Sequence, residues 1–164
     1  MLRGYALMGL LIPSDNIFRH NVDLDLSSFT FQLQKLIMSN AAYTLKISTD
    51  FASAHTLRNY PGDCSRMHGH NWKVEVEVTA TTLNEHEMGM DFKTIKTATR
   101  KLAKTLDHRY LNDIPPFDTR NPTAENIAQY FYQQLSNILN IEQARVSSVT
   151  LWETDRACVR YSED

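Results

Sequence analysis

Cysteine is scarce in this chain. Of 164 residues only Cys64 and Cys158 carry a thiol. Two thiols so far apart build no disulfide scaffold; they fit a reducing cytoplasm, where each is read by its reactivity. Glycine and proline number five each, which excludes collagen-like and linker-rich chains. No charge of one sign dominates: 17 basic and 19 acidic residues leave a net charge of −2 and a pI near 6.3. Sequence-independent nucleic-acid binding, which needs a basic field, is therefore not expected. No apolar run reaches the roughly 18 residues that a membrane-spanning helix requires. The short run Tyr5–Ile12 follows Arg3 but ends in Pro13-Ser14-Asp15 without a small-residue cleavage pattern, so it is not read as a secretory signal.

What is present suffices for a core. Hydrophobic residues make up 42% and charged residues 22% of the chain, a balance that excludes wholesale disorder and favours one folded domain. Residues 1–40 show no clear period apart from one or two helical turns over Phe31–Met38. They read as a peripheral extension, with Met38 as an alternative start of a compact chain, and the domain proper is placed at 41–164. From Tyr43 the pattern has period 2: Tyr43, Leu45 and Ile47 alternate with polar residues, as do Trp72, Val74, Val76 and Val78 with Lys73, Glu75 and Glu77. Asn59, Pro61, Gly62 and Asp63 mark the loop between these strands. Asp91 is placed to cap a helix carrying Ile95, Ala98, Leu102 and Leu106 at helical spacing. A second helix begins near Pro122, capped either by Asn121 or by Thr123, with a stripe of Ile127, Ala128, Phe131, Leu135, Ile138 and Leu139. Two strands, Val146–Glu153 and Ala157–Tyr161, close the chain. The order ββααββ predicts an α+β fold: an antiparallel four-stranded sheet with two helices on one face.

The chemistry concentrates in Cys64-Ser65-Arg66-Met67-His68-Gly69-His70. Histidines at i and i+2 of an extended chain point the same way, and His68 and His70 share parity with Trp72 and Val74. Two imidazoles on an apolar face need a common partner, which a divalent metal supplies. His55 shares the parity of Leu45, Ile47 and Phe51 and makes a third. Three histidines without an obvious fourth ligand are the pattern of a catalytic zinc with an open position. The bland alternative is a pair of solvent-facing histidines. Cys64 stands in a Gly/Asp loop beside this cluster and reads as a base or nucleophile, against the alternative of a small buried hydrophobe. Cys158, inside the last strand, reads as a buried core residue. Asp107 and His108 are adjacent at the end of the first helix and could relay a proton together; the alternative is a histidine placed there by the helix dipole. Glu153 shares a strand face with Val149 and Leu151. A carboxylate there needs a pair of donors, such as a pterin or guanine edge offers, unless the strand has ended and the group is solvated.

Taken together these residues resemble the 6-pyruvoyl-tetrahydropterin synthase/QueD family, and within it the 6-carboxy-tetrahydropterin synthase type. The landmarks run from Tyr43 to Tyr161: Phe51-Ala52-Ser53-Ala54-His55, Cys64 with His68-Gly69-His70, Met90-Asp91-Phe92, Leu106-Asp107-His108-Arg109-Tyr110-Leu111-Asn112, Asn121-Pro122-Thr123-Ala124-Glu125-Asn126 and Trp152-Glu153-Thr154. The resemblance implies a tunnelling (T-) fold. It also implies assembly into a homo-oligomer, commonly a hexamer, with active sites at subunit interfaces. His55, His68 and His70 would hold Zn2+, Cys64 would be the catalytic thiol, Asp107 and His108 would complete the relay, and Glu153 would anchor the pterin ring. The implied reaction converts 7,8-dihydroneopterin triphosphate to 6-carboxy-5,6,7,8-tetrahydropterin, acetaldehyde and triphosphate in the cytoplasm, on the route to queuosine. Partners other than this small molecule and further copies of the chain, such as nucleic acid or membrane, are not expected. A 6-pyruvoyl-tetrahydropterin synthase and a non-catalytic zinc- or pterin-binding module are the alternatives. The short Cys64-to-His68 spacing favours the carboxy type, and a loop thiol beside the metal favours an enzyme. Two features depart from the family pattern: residues 1–40 match nothing in it, and Glu87 stands where a glycine is usual.

Overall fold

The computed structural model describes residues 42–163. The extension expected over residues 1–40, with its helical turns and the alternative start at Met38, lies outside the described residues. Strand β1, Tyr43–His55, and strand β2, His68–Ala80, form one uninterrupted antiparallel pair from Tyr43↔Ala80 to His55↔His68. Its length follows from the sequence. The unbroken alternation puts Ile47, Phe51, Trp72, Val74, Val76 and Val78 on one buried face, and a one-residue slip would expose all of them. Helix α1, Phe92–Leu106, starts at the expected cap: the Asp91 carboxylate accepts from Lys93 N–H at 2.8 Å. Strand β3 is only Arg109–Tyr110, and helix α2 spans Ala124–Leu139. Strands β4, Ala144–Thr154, and β5, Ala157–Tyr161, complete the sheet.

The sheet order is β3-β1-β2-β4-β5, with both helices packed against its apolar side. The expected strands and helices come in the expected order, but β3 stands between the two helices, so the order is ββαβαββ and the strand count is corrected from four to five. β3 runs parallel to β1 at Ser53 and Ala54, so the sheet is not wholly antiparallel. Two residues carry no periodicity. This strand exists because β1 receives the end of α1: His108 N–H donates to the Ala52 carbonyl at 2.6 Å and the Asp107 carboxylate accepts from Ala52 N–H at 2.9 Å.

Three local readings are settled by side-chain contacts. Thr123, not Asn121, caps α2, its hydroxyl accepting from Asn126 N–H. Ile138, assigned to the apolar stripe, is exposed, while Leu135 and Leu139 are buried. Cys158 is likewise exposed and not a core residue. The register of β5 turns Val159 and Tyr161 toward the core, so Cys158 faces outward opposite Trp152. Glu87 has φ 58°, in the left-handed region. A glycine adopts that conformation freely, and here a glutamate is held in it by a turn in which Glu87 N–H donates to the Asn84 carbonyl.

Candidate active site

The end of the β1–β2 ladder brings three imidazoles together. His55 and His68 are direct cross-strand partners, and His70 follows two residues later on the same face. Ring centroids lie 4.4 Å apart for His55–His68, 5.2 Å for His55–His70 and 5.1 Å for His68–His70. One nitrogen from each ring falls within 4.8 Å of the other two, so the group could hold a metal ion.

The tautomers suit that role. His55 Nδ1 lies 2.7 Å from the Pro122 carbonyl and His68 Nδ1 lies 2.8 Å from the Arg66 carbonyl. A carbonyl only accepts, so each Nδ1 carries the proton and each Nε2 keeps a bare lone pair. Burial pushes the His55 and His70 imidazoles below their ordinary value, toward the neutral form a metal ligand requires. Among the described residues, Nε2 of His55 and of His70 is buried without a hydrogen-bond partner. Two orphaned nitrogens facing one point are costly unless something binds there, and this observation makes the donor set fit a cation.

Cys64 sits on a short 3-10 turn, Asp63–Ser65. Its carbonyl accepts from Leu57 N–H at 2.9 Å, which ties the turn back to the chain leaving β1. The thiol is half-buried and lines a cavity of about 450 Å³ together with His55, His68 and Glu153. Glu153 lies where β4 bulges between Trp152 and Thr154. It is half-buried, its Oε1 standing 3.4 Å from His70 Nε2 and 3.9 Å from His55 Nε2. The parity expected for it holds to the extent that it reaches the histidine side of the sheet.

Asp107 and His108 are brought together elsewhere. The His108 Nδ1 to Asp107 Oδ1 distance is 2.9 Å, and the Ala52 N–H, followed by His108, holds the Asp107 carboxyl below its ordinary range. His108 leaves α1 in the left-handed region, with φ 55°. It lines a second cavity of about 460 Å³ with Ala52, Ala54, His70, Asn71 and Arg109, which shares no lining residue with the Cys64 cavity. Within one chain the structure thus assembles His55, His68, Cys64 and Glu153 around one cavity and His108 on another, with His70 close to the first two histidines but lining the His108 cavity. Sequence reasoning gave no role to the Pro122 carbonyl. A backbone acceptor leaves no mark in a sequence except through neighbours that hold it in place.

Residues 44–164 match the family described as 6-pyruvoyl tetrahydropterin synthase. The chain belongs to that family. It is 37% identical over 119 residues to a 6-carboxy-5,6,7,8-tetrahydropterin synthase of Synechocystis, covering 68% of this chain and 86% of that one. It is 29% identical over 145 residues to the protein of that name in Haemophilus influenzae, covering 72% and 99%. The solved 6-pyruvoyl tetrahydropterin synthase of Caenorhabditis elegans superposes with a TM-score of 0.68 at 25% identity, covering 76% of this chain and 97% of that one. The architecture is the T-fold of this family. Among the described residues no helix is long and apolar enough to cross a membrane.

Proposed function

We propose that the chain is a zinc-dependent 6-carboxy-5,6,7,8-tetrahydropterin synthase, a carbon–carbon lyase acting on 7,8-dihydroneopterin triphosphate on the route to queuosine. The observation that carries this reading is the cavity shared by Cys64, Glu153, His68 and His55, whose Nε2 is buried and unpartnered among the described residues. The relatives named for that activity support the substrate class. His55, His68 and His70 would hold the zinc. When bound, it supplies Lewis acidity that polarises the substrate's side-chain hydroxyls and makes the neighbouring C–H bonds more acidic.

The chain's own residues divide the rest. Glu153 accepts from the ring N–H and amino groups of the pterin and so orients the side chain toward the histidines. Cys64, on the same cavity wall, removes and returns protons at the side-chain carbons. The Asp107 carboxylate fixes the His108 ring, which exchanges protons on the far side of the substrate. Because His108 lines a different cavity from Cys64, a neighbouring copy is the natural source of the relay, and we infer a homo-oligomer with shared sites.

Product analysis tests the reading. Incubation with 7,8-dihydroneopterin triphosphate is expected to release acetaldehyde and 6-carboxy-5,6,7,8-tetrahydropterin, and a Cys64→Ala chain is expected to bind zinc normally yet form neither. A 6-pyruvoyl product without acetaldehyde would select the other branch of the family. Ring binding without turnover would select the binding module.

A further inference from the structure

Two asparagines outside the chemistry described above make the same contact. Asn112 accepts from the N–H of Thr56 and donates to its carbonyl, both at 2.9 Å. Asn121 does the same to Arg58, accepting from its N–H at 2.8 Å and donating to its carbonyl at 3.0 Å. An amide side chain that satisfies both backbone groups of one residue imitates a rung of a β-ladder. β1 ends at His55, yet the next residues are held in two such rungs by side chains. The Arg58 guanidinium closes the set, donating to the carbonyls of Asn112, Phe117 and Arg120 at 3.2, 2.8 and 3.1 Å. The connection between β3 and α2 is thereby tied to the chain immediately after His55. Pro122, adjacent to Asn121, is what this knot carries to the site: its carbonyl accepts the Nδ1 proton of His55.

A terminal strand residue lacks the continuing ladder that fixes its neighbours' backbone. The Leu57 N–H bond to the Cys64 carbonyl and the Asn126 bond to the Asn121 carbonyl hold each segment locally, but it is the knot that joins the exit of the chain from His55 to the segment bearing the Pro122 carbonyl. Without that join the buried ring would be free to turn, or to carry its proton on Nε2, where it blocks a ligand bond.

We propose that Asn121 and Asn112 are positioning residues of the metal centre: they lock the end of β1 to the segment bearing Pro122, so that His55 keeps its proton on that carbonyl and turns a bare Nε2 toward His68 and His70. This rests on the reading of those three histidines as a metal site. A merely structural pair of asparagines would affect stability and leave metal binding alone. Losing a partner that orients a ligand weakens metal binding by about 10–100-fold.

The test uses the full-length chain, stripped of metal and titrated with Co2+ against a competing chelator, with the visible absorption of the bound Co2+ recorded. Asn121→Ala and Asn112→Ala are expected to keep the wild-type far-ultraviolet circular dichroism, to bind Co2+ about 10–100-fold more weakly, and to change its visible bands. Asn121→Asp keeps the acceptor for Arg58 N–H and loses the donor, so it is expected to fall between Asn121→Ala and wild type. Should an alanine variant fail to fold, Asn121→Asp and Asn112→Asp are read in the same way. Folded variants with wild-type Co2+ affinity and spectrum, whatever their melting temperature, would overturn the proposal. A wild-type chain that binds no Co2+ would overturn the metal centre itself, and this inference with it.

Discussion

Which nitrogen of each imidazole carries the proton decides what the three histidines can do. For His55 and His68 a backbone carbonyl settles it. For His70 the closest charged group is Glu153, and burial outweighs that carboxylate in holding the ring neutral. Among the described residues Glu153 stands beside the histidines without a hydrogen bond of its own, and on the proposed reading it takes the donors of a pterin edge. Breaking a charge-assisted bidentate pair costs on the order of 2–5 kcal/mol, much of it from donors left unpaired. Glu153→Gln keeps the shape, removes the charge and turns one acceptor into a donor. Its apparent KM is expected to rise by roughly 30-fold or more, with zinc content and melting temperature nearly unchanged. Glu75→Gln, on the outer face beside Lys73, should leave KM alone. Steady-state kinetics of the two variants checks this, and an unchanged KM in Glu153→Gln would place the ring elsewhere.

The strands carry a second, quite different set of charges on the face away from the helices. Glu77 lies 2.8 Å from Lys46 of β1 and 3.0 Å from Arg160 of β5, and accepts from the Ser148 hydroxyl of β4 at 2.9 Å. One carboxylate thus joins all four long strands, and Lys46 above all, then Ser148 and Arg160, hold it below the ordinary value of 4.5. A depressed carboxyl contributes stability that is complete above the unfolded value and is lost as the pH falls through the folded one. Glu77→Gln is accordingly expected to cost about 1 kcal/mol at pH 7. The gap from wild type should close as the pH drops below about 4. Thermal melts from pH 7 to pH 3 measure it; a gap that persists in acid would make the loss one of packing. At this scale the sequence was legible wherever a period ran long enough. Tyr43–His55 and His68–Ala80 alternate without a break, and that alone put three histidines on the core face. It was illegible for β3, which the Asp107 side chain and the His108 backbone N–H at the α1 terminus dock onto β1, and for Cys158, whose outward turn follows from the inward one of Val159 and Tyr161.

Across the whole molecule the candidate site is divided. The histidines and Cys64 could be read from spacing and parity because they lie on the two longest strands or on the loop joining them, and Glu153 because it keeps the parity of Val149 and Leu151 on β4. That His108 lines a cavity with His70, separate from that of Cys64, could not be read, because adjacency in sequence says nothing about where a helix terminus meets the sheet. If a neighbouring copy supplies the relay, chains inactivated at different groups should complement each other. Cys64→Ala and His108→Ala, each inactive alone, are expected to regain part of the wild-type turnover when mixed and reassembled. Co-assembled mixtures that stay inactive would place the whole relay within one chain.

The central claim is that zinc on these three histidines makes the chain a lyase. It is tested most directly by measuring acetaldehyde release from 7,8-dihydroneopterin triphosphate as Zn2+ is returned to the stripped protein. Release should rise in proportion to bound zinc, level off at one ion per chain, and stay absent in His68→Ala at any zinc concentration. Acetaldehyde formed by the zinc-free protein, or none formed at full occupancy, would contradict the account.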